Sequence, residues 1–251
     1  MTTSSLLLLI ILFFVTSAVG VVTGSNSLIT VPVMFQFGIE PRAAVATNMF
    51  GLTFMAIGAT IPFLKQGAIN IKKVSPLIVF TVVGSAIGAA LVGFISDKTM
   101  PIIVSVSMIV VTVFTLIKPQ AGVSVIETVS RGSLIITYAL TFLLGIYGGL
   151  YSGGYVTMLT ASLVAFFGMT FAESVASTKL INVFSSSIAT LIFMWQGLVD
   201  YRLGVILAVV MFVGAYVGAR AVTKLNDVWL KRIFLATVLI LALKMLVFDL
   251  W

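Results

Sequence analysis

Two stretches of this chain carry polar groups and glycine inside otherwise apolar sequence: Thr23-Gly24-Ser25-Asn26-Ser27, and Gly148-Gly149-Leu150-Tyr151-Ser152-Gly153-Gly154-Tyr155. Their hydroxyls and amide form hydrogen bonds readily, and glycine permits a broken backbone and close approach. Each stretch precedes a short apolar segment, 25–37 or 154–168. At 1.5 Å per residue the first of these reaches only about 20 Å, well under the roughly 30 Å hydrocarbon core of a bilayer. A helix that starts at such a break points free N–H groups and its positive dipole end at whatever lies before it, which suits an anion. The plainer alternative is a pair of surface loops between ordinary helices.

A second constellation follows each break: Thr47-Asn48 in one place, and Ser177-Thr178-Lys179 with Asn182 in the other. Lys179 falls about two turns inside an apolar segment, where a charge costs a few kcal/mol unless it is paired or functional. A cation there could hold an anionic substrate; otherwise it snorkels to the interface or pairs with Glu173. The expected substrate-binding set is Thr23, Gly24, Ser25, Asn26, Ser27, Asn48, Ser152, Gly153, Gly154, Tyr155, Ser177, Thr178, Lys179 and Asn182. Catalytic chemistry is a poor fit, because the chain has 7 acids, no Cys and no His, and so lacks the usual metal ligand and neutral-pH proton relay. No cofactor or metal is expected, and Glu173 is the one acid placed plausibly near such a cavity.

The elements that position these groups are dictated by composition. Of 251 residues, 61% are hydrophobic and only 8% charged, against about 25% charged in a soluble domain. Ten apolar segments follow one another: 5–22, 25–37, 43–64, 74–96, 101–117, 133–150, 154–168, 173–195, 203–222 and 229–248. They leave no room for a separate soluble domain, so 1–251 reads as one all-α integral membrane domain. The run Leu6 to Val22 has no positively charged n-region before it and no convincing cleavage site after it, and reads as a retained helix. The net charge of +7 is spread over short loops, which concerns topology rather than nucleic acid.

Sliding the chain by about 130 residues aligns its halves without a gap from about Ser17 to Lys118. Gly24 meets Gly154, Phe37-Gly38 meets Phe167-Gly168, and Gln66-Gly67 meets Gln196-Gly197. Gly84 and Gly88 meet Gly214 and Gly218, and Asp97 meets Asp227. The expected architecture is a first repeat, 1–118, a cytoplasmic connector, 119–132, and a second repeat, 133–251. An odd number of segments per repeat turns the second copy upside down. Lys and Arg mark the cytoplasmic side. The loop after segment three carries Lys65, Lys72 and Lys73, and the loop after segment nine carries Lys224, Lys231 and Arg232. The equivalent loops hold only Arg202 beside Asp200 and Lys98 beside Asp97. Two inverted repeats of five segments, with short broken segments near the midplane, satisfy this bias and put both termini outside.

The Gln-Gly pairs read as helix caps, and the Gly84/Gly88 and Gly214/Gly218 spacings as close helix packing. Trp195, Trp229 and Trp251 read as interface anchors, and Arg220 and Lys244 as snorkelling residues.

The chain resembles the sulfite exporter TauE/SafE family, also called the toluene sulfonate uptake permease family. The likeness rests on Ser27-Leu28-Ile29-Thr30-Val31-Pro32, Gly38-Ile39-Glu40-Pro41 and Ala43 to Asn48. In the second copy it rests on Gly148 to Gly154, Ala176 to Lys179 with Asn182, and Gln196-Gly197. It covers nearly the whole chain. The resemblance implies a secondary transporter in a prokaryotic cell membrane for a small sulfur-containing anion, such as sulfite, thiosulfate, sulfoacetate or another organosulfonate, without ATP hydrolysis. Gly24-Ser25-Asn26 departs from the longer glycine run that members often carry, which bears on substrate identity. The expected partners are that small anion and the lipid bilayer, and no nucleic acid. A homo-oligomer is compatible with such a chain, and the coupling ion is not specified. The competing class is a non-transporting membrane helper, which predicts neither substrate-dependent stabilisation nor flux.

Overall fold

The computed structural model describes residues 3–24, 26–117, 130–225, 229 and 232. The described residues form nine α-helices and no strand: α1 Thr3–Thr23, α2 Ser27–Gln36, α3 Pro41–Lys65, α4 Ile71–Val92, α5 Met100–Ile117, α6 Arg131–Leu150, α7 Tyr155–Phe166, α8 Phe171–Trp195 and α9 Tyr201–Val222. Six of them, α1, α3, α4, α6, α8 and α9, are long and apolar enough to cross a membrane. Helices α2 and α7 have 10 and 12 residues, and so reach about 15 and 18 Å. Ser25, Asp227, Lys231, Lys244, Trp251, residues 118–129 and all of segment 229–248 except Trp229 and Arg232 lie outside the described residues.

Local chemistry sets the boundaries. Asn70, Ser130, Thr170 and Asp200 accept backbone N–H groups at the starts of α4, α6, α8 and α9, as N-caps do. Asn70 explains why α4 begins at Ile71 instead of 74. Gln66 and Gln196 end α3 and α8, and Gly67 and Gly197 follow at φ 67° and 70°. The bonds Ala68 N–H to Phe63 O and Leu198 N–H to Phe193 O, both 3.0 Å, complete left-handed C-caps. The Gln-Gly pairs therefore do cap helices.

Helix bounds follow the 130-residue offset: α3 and α8 begin and end at matching positions, as do α4 and α9. The six glycines with positive φ form three pairs at the same offset, Gly24/Gly154, Gly38/Gly168 and Gly67/Gly197.

Packing divides the helices into two lobes. In one, α9 lies against α1 and α3, with α2 on α3; in the other, α4 lies against α6 and α8, with α7 on α6 and α8. Each lobe thus takes three helices from one half and one from the other. Glycine allows these exchanges: a Cβ on Gly84 or Gly88 would run into the α6 backbone at Phe142 and Ile146, and one on Gly214 or Gly218 into the α1 backbone at Phe14 and Ala18. The lobes meet where α3 lies against α8.

At one end of the molecule Arg42, in the first turn of α3, holds Asp97, just after α4, through both guanidinium bonds, Nε at 3.0 Å and Nη2 at 2.7 Å. The Arg42 guanidinium keeps the Asp97 carboxyl below the usual carboxylate range. A depressed pKa stabilises the fold above the unfolded value of about 4, and that contribution fades as pH falls through the folded value. Asp97→Asn is therefore expected to unfold at a lower temperature than wild type at pH 6 and to converge with it below pH 4. Thermal midpoints in detergent across that range check this.

Candidate functional site

The broken regions at the ends of α1 and α6 come together between the lobes. Gly24 has φ +66°, and a Cβ there would come within 2.6 Å of Val156 and 2.9 Å of the Thr157 N–H in α7. Only a residue without a side chain fits this approach. Hydrogen bonds tie the two regions across the seam. Thr157 donates its hydroxyl to the Thr23 carbonyl, Tyr151 donates to the Ser27 carbonyl at 2.9 Å, and the Ser27 and Ser152 hydroxyls pair at 2.7 Å. Behind them Asn48 Nδ2 donates to Ser27 Oγ at 2.9 Å and Thr30 donates to Asn48 Oδ1 at 2.8 Å. The second copy has the counterpart of this last pair, Thr160 with Thr178 at 3.3 Å.

A cavity of about 20 Å³ lies at this seam, lined by Gly20, Gly24, Asn26, Ser27, Leu52, Met55, Ala56, Ala59, Ser152, Val156, Lys179 and Asn182. That volume admits about one water molecule. Lys179 enters from α8, is 3% exposed, and donates from Nζ to the Gly20 carbonyl at 3.0 Å. Its ammonium therefore sits at the C-terminal, negative end of α1. The buried Asn26 Oδ1 makes no hydrogen bond, while its Nδ2 reaches Met55 Sδ at 3.3 Å and Ser17 Oγ at 3.4 Å.

Of the residues predicted from sequence, Gly24, Asn26, Ser27, Ser152, Lys179 and Asn182 line the cavity, and Asn48 and Thr23 stand directly behind it. Gly153 accepts from the Tyr147 hydroxyl, and Gly154 starts α7 at φ 79°. Thr178 also donates to the Val175 carbonyl at 2.9 Å, and Ser177 is buried on the same helix. Tyr155 turns away, its hydroxyl pairing with Thr81 of α4 at 2.7 Å. Glu173 is not near the cavity: it is exposed at the start of α8, where its side chain accepts the Thr170 N–H at 2.9 Å in a capping box, and so it is not the partner of Lys179 either. Sequence reasoning missed Ser17, Gly20, Thr30 and Thr157. Ser17, Gly20 and Gly24 fall three and four residues apart, one helical face, and that spacing within an apolar run is the signal that could have found the first two.

A family model described as Sulfite exporter TauE/SafE matches residues 8–245. Among curated proteins, a probable membrane transporter protein, ORF9, from Sinorhizobium sp is 25% identical over 90% of this chain and 86% of its own length. The probable membrane transporter protein YfcA of Escherichia coli K12 is 28% identical over 80% and 74%, and YdhB of Bacillus subtilis, of the same description, is 27% identical over 89% and 92%. No solved structure matches the chain.

Proposed function

This chain belongs to the sulfite exporter TauE/SafE family and is a multi-pass membrane transporter, and from that premise we propose that it carries a small sulfur-containing anion by alternating access. The cargo is a sulfite, thiosulfate, sulfoacetate or other organosulfonate. The observation that carries this reading is Lys179, a buried cation in a polar cavity between two lobes, with no carboxylate among the lining residues. An oxyanion takes the place of the Gly20 carbonyl on Nζ, gaining a charge-assisted bond. Asn26, whose amide oxygen is unbonded, turns to offer its NH₂, and the starts of α2 and α7 add dipole stabilisation.

A cavity of about one water cannot hold such an anion, so the described conformation is a closed one and substrate entry parts the lobes. The bonds from Thr157, Tyr151, Ser152 and Lys179 all cross the lobe boundary, and rocking of the lobes exchanges them for bonds to substrate. Arg42 and Asp97 span the same boundary at one end.

Helix direction supports an inverted repeat within one membrane domain, with 1–118 and 133–251 as the repeats. Gln196, closing α8, bonds the Ala89 and Ala90 carbonyls near the end of α4 at 3.3 and 3.4 Å. Lys65 and Lys224, at the ends of α3 and α9, line one cleft. Lys73 near the start of α4 reaches the Gly168 carbonyl before α8 at 3.4 Å. So α4 and α8 run one way and α3 and α9 the other, which sets each helix against its repeat equivalent. Lys65 and Lys224 at one end of α3 and α9 support the reading in which that end faces the cytoplasm.

Thermal stabilisation of the purified protein by sulfite, thiosulfate, sulfoacetate, taurine and sulfate, with a carboxylate control, tests the substrate class, since a ligand that binds only the folded state raises its stability. A selective shift by one sulfur oxyanion or sulfonate, followed by its flux into proteoliposomes, is the expected result. The absence of any shift and any flux across the panel would sink this substrate class.

A further inference from the structure

A second, larger cleft opens at the membrane-interface end of α3 and α9, about 310 Å³ in volume and lined by Pro62, Lys65, Gln66, Tyr216, Arg220, Thr223 and Lys224. Three of these are cationic and none is acidic. The Arg220 guanidinium lies over the Tyr216 ring, 5.9 Å from its centre, so the charge is held at the boundary between the polar end and the apolar body of α9. Val209, Val213, Tyr216 and Arg220 recur at helical spacing and make one stripe of that helix, which Lys224, in the turn just after it, continues. Further down the same stripe an apolar groove of about 350 Å³ runs between α1 and α9, lined by Ile10, Ile11, Phe14, Val209, Val210 and Val213. Val213, in the stripe, and Val217, beside it, are 44% and 51% exposed on a face that belongs to the bilayer.

The duplication supplies an internal comparison. At the equivalent corner of the other half, Trp195 stands for Lys65, Ala90 for Arg220 and Phe94 for Lys224. Trp195 and Phe94 are 88% and 89% exposed, and Gln196 bridges the corner by its bonds to α4. Closing these helix ends therefore does not require cations, and the basic cleft is not a by-product of capping. Gln66, the equivalent of Gln196, makes no such bridge, and its corner stays open.

We propose that this cleft binds the phosphate headgroup of an anionic phospholipid, with an acyl chain lying in the α1/α9 groove below it. Basic pockets between spanning helices on the cytoplasmic side suit such headgroups. Three cations and an aromatic ring meet the phosphate, while the groove meets hydrocarbon. The site is distinct from the Lys179 cavity and does not depend on what that cavity carries.

The test uses the intact protein in detergent, titrated with phosphatidylglycerol, phosphatidylcholine or inorganic phosphate, with the thermal midpoint and the number of lipids retained in native mass spectrometry as readouts. Phosphatidylglycerol is expected to be retained and to raise the midpoint, and phosphatidylcholine to do so far less. Inorganic phosphate at matched concentration should do neither. The double variant Arg220→Gln, Lys224→Gln, both exposed positions, should bind phosphatidylglycerol about thirty-fold more weakly, at the usual worth of two basic residues near an anionic surface, while Phe94→Gln at the opposite corner should change nothing. Val213→Trp, which fills the groove, should weaken retention of the lipid without touching a charge. Equal retention of the two lipids, wild-type binding by the double variant, or stabilisation by free phosphate matching that by the lipid would each overturn the assignment.

Discussion

Lys179→Ala and Lys179→Gln are expected to abolish anion-induced stabilisation, with affinity for the selected sulfur anion falling by about a hundredfold or more, in line with the loss of a charge-assisted hydrogen bond in a buried site. The fold should survive. The Gly20 carbonyl that accepts from Nζ also accepts the Gly24 N–H at 2.9 Å, so deleting the ammonium leaves no orphaned carbonyl. A buried cation without a carboxylate partner is costly in a membrane interior, and its removal should leave the anion-free midpoint unchanged or raise it. The two readouts thus move apart: stability holds or rises while the response to anion vanishes. A structural lysine gives the opposite pattern, a lower midpoint with an intact anion response, and that outcome would reassign Lys179 as the C-terminal cap of α1.

How legible each feature is in the amino-acid sequence follows from how directly it is encoded. Backbone breaks are encoded locally, in glycine and short polar side chains, so the stretches at Gly24 and Gly154 stand out from residue types alone, as does the offset that relates them. Helix ends are legible to within about four residues, the end of α4 at Val92 rather than 96 being the widest miss, because caps such as Asn70 and Thr170 are single side chains. The cost of a buried charge singles out Lys179 whatever its neighbours are. Which lobe each helix joins is not legible. Helix α9 binds α1 and α3 across the whole length of the chain, and only the glycine pairs Gly84/Gly88 and Gly214/Gly218 hint that these helices approach something closely, without saying what.

The misreadings have the same origin. Proximity to Lys179 in sequence suggests a place for Glu173 near the cavity, yet an acid three residues after a threonine at a helix start closes a capping box, and that local bond fixes it at the surface. Tyr155 adjoins the glycine run and so reads as part of it, but its ring is long enough to leave that stretch, pass beneath Gly148 and reach Thr81; a Cβ on Gly148 would lie 2.8 Å from the ring. Gly20 escapes notice because its contribution is a backbone carbonyl, which sequence patterns do not display. The acceptor that holds the one cation of the cavity is thus set by where α1 ends, a property of the whole lobe.

Gly88→Ala and Gly218→Ala are expected to be among the most damaging single-methyl changes in the protein. A Cβ on Gly88 would stand 2.8 Å from the Leu150 N and closer still to the Ile146 carbonyl oxygen, and one on Gly218 would stand 2.8 Å from the Ala18 Cα and closer still to the Ala18 carbonyl oxygen. The obstacle in both cases is main chain, which cannot swing aside as a side-chain tip can. The helices must separate along their length, so the cost should lie at or above the upper end of the about 1–3 kcal/mol typical of overpacking. Without a strong hydrophobic drive between helices inside a bilayer, close packing of this kind is a main source of their association. Gly132→Ala, where the nearest atom is Ser130 Oγ at 3.7 Å, is the control and should be neutral or mildly stabilising, since alanine favours the helix by about 1 kcal/mol. Thermal midpoints and the monodisperse fraction after extraction read out the series. Because Gly88 and Gly218 join each lobe to the helix it borrows from the other half, their variants should lose folded protein, whereas Lys179 variants keep it and lose only the anion response. Equal behaviour of Gly88→Ala and Gly132→Ala would show that α4 and α6 are not held at backbone contact, and the two-lobe packing would fall with it.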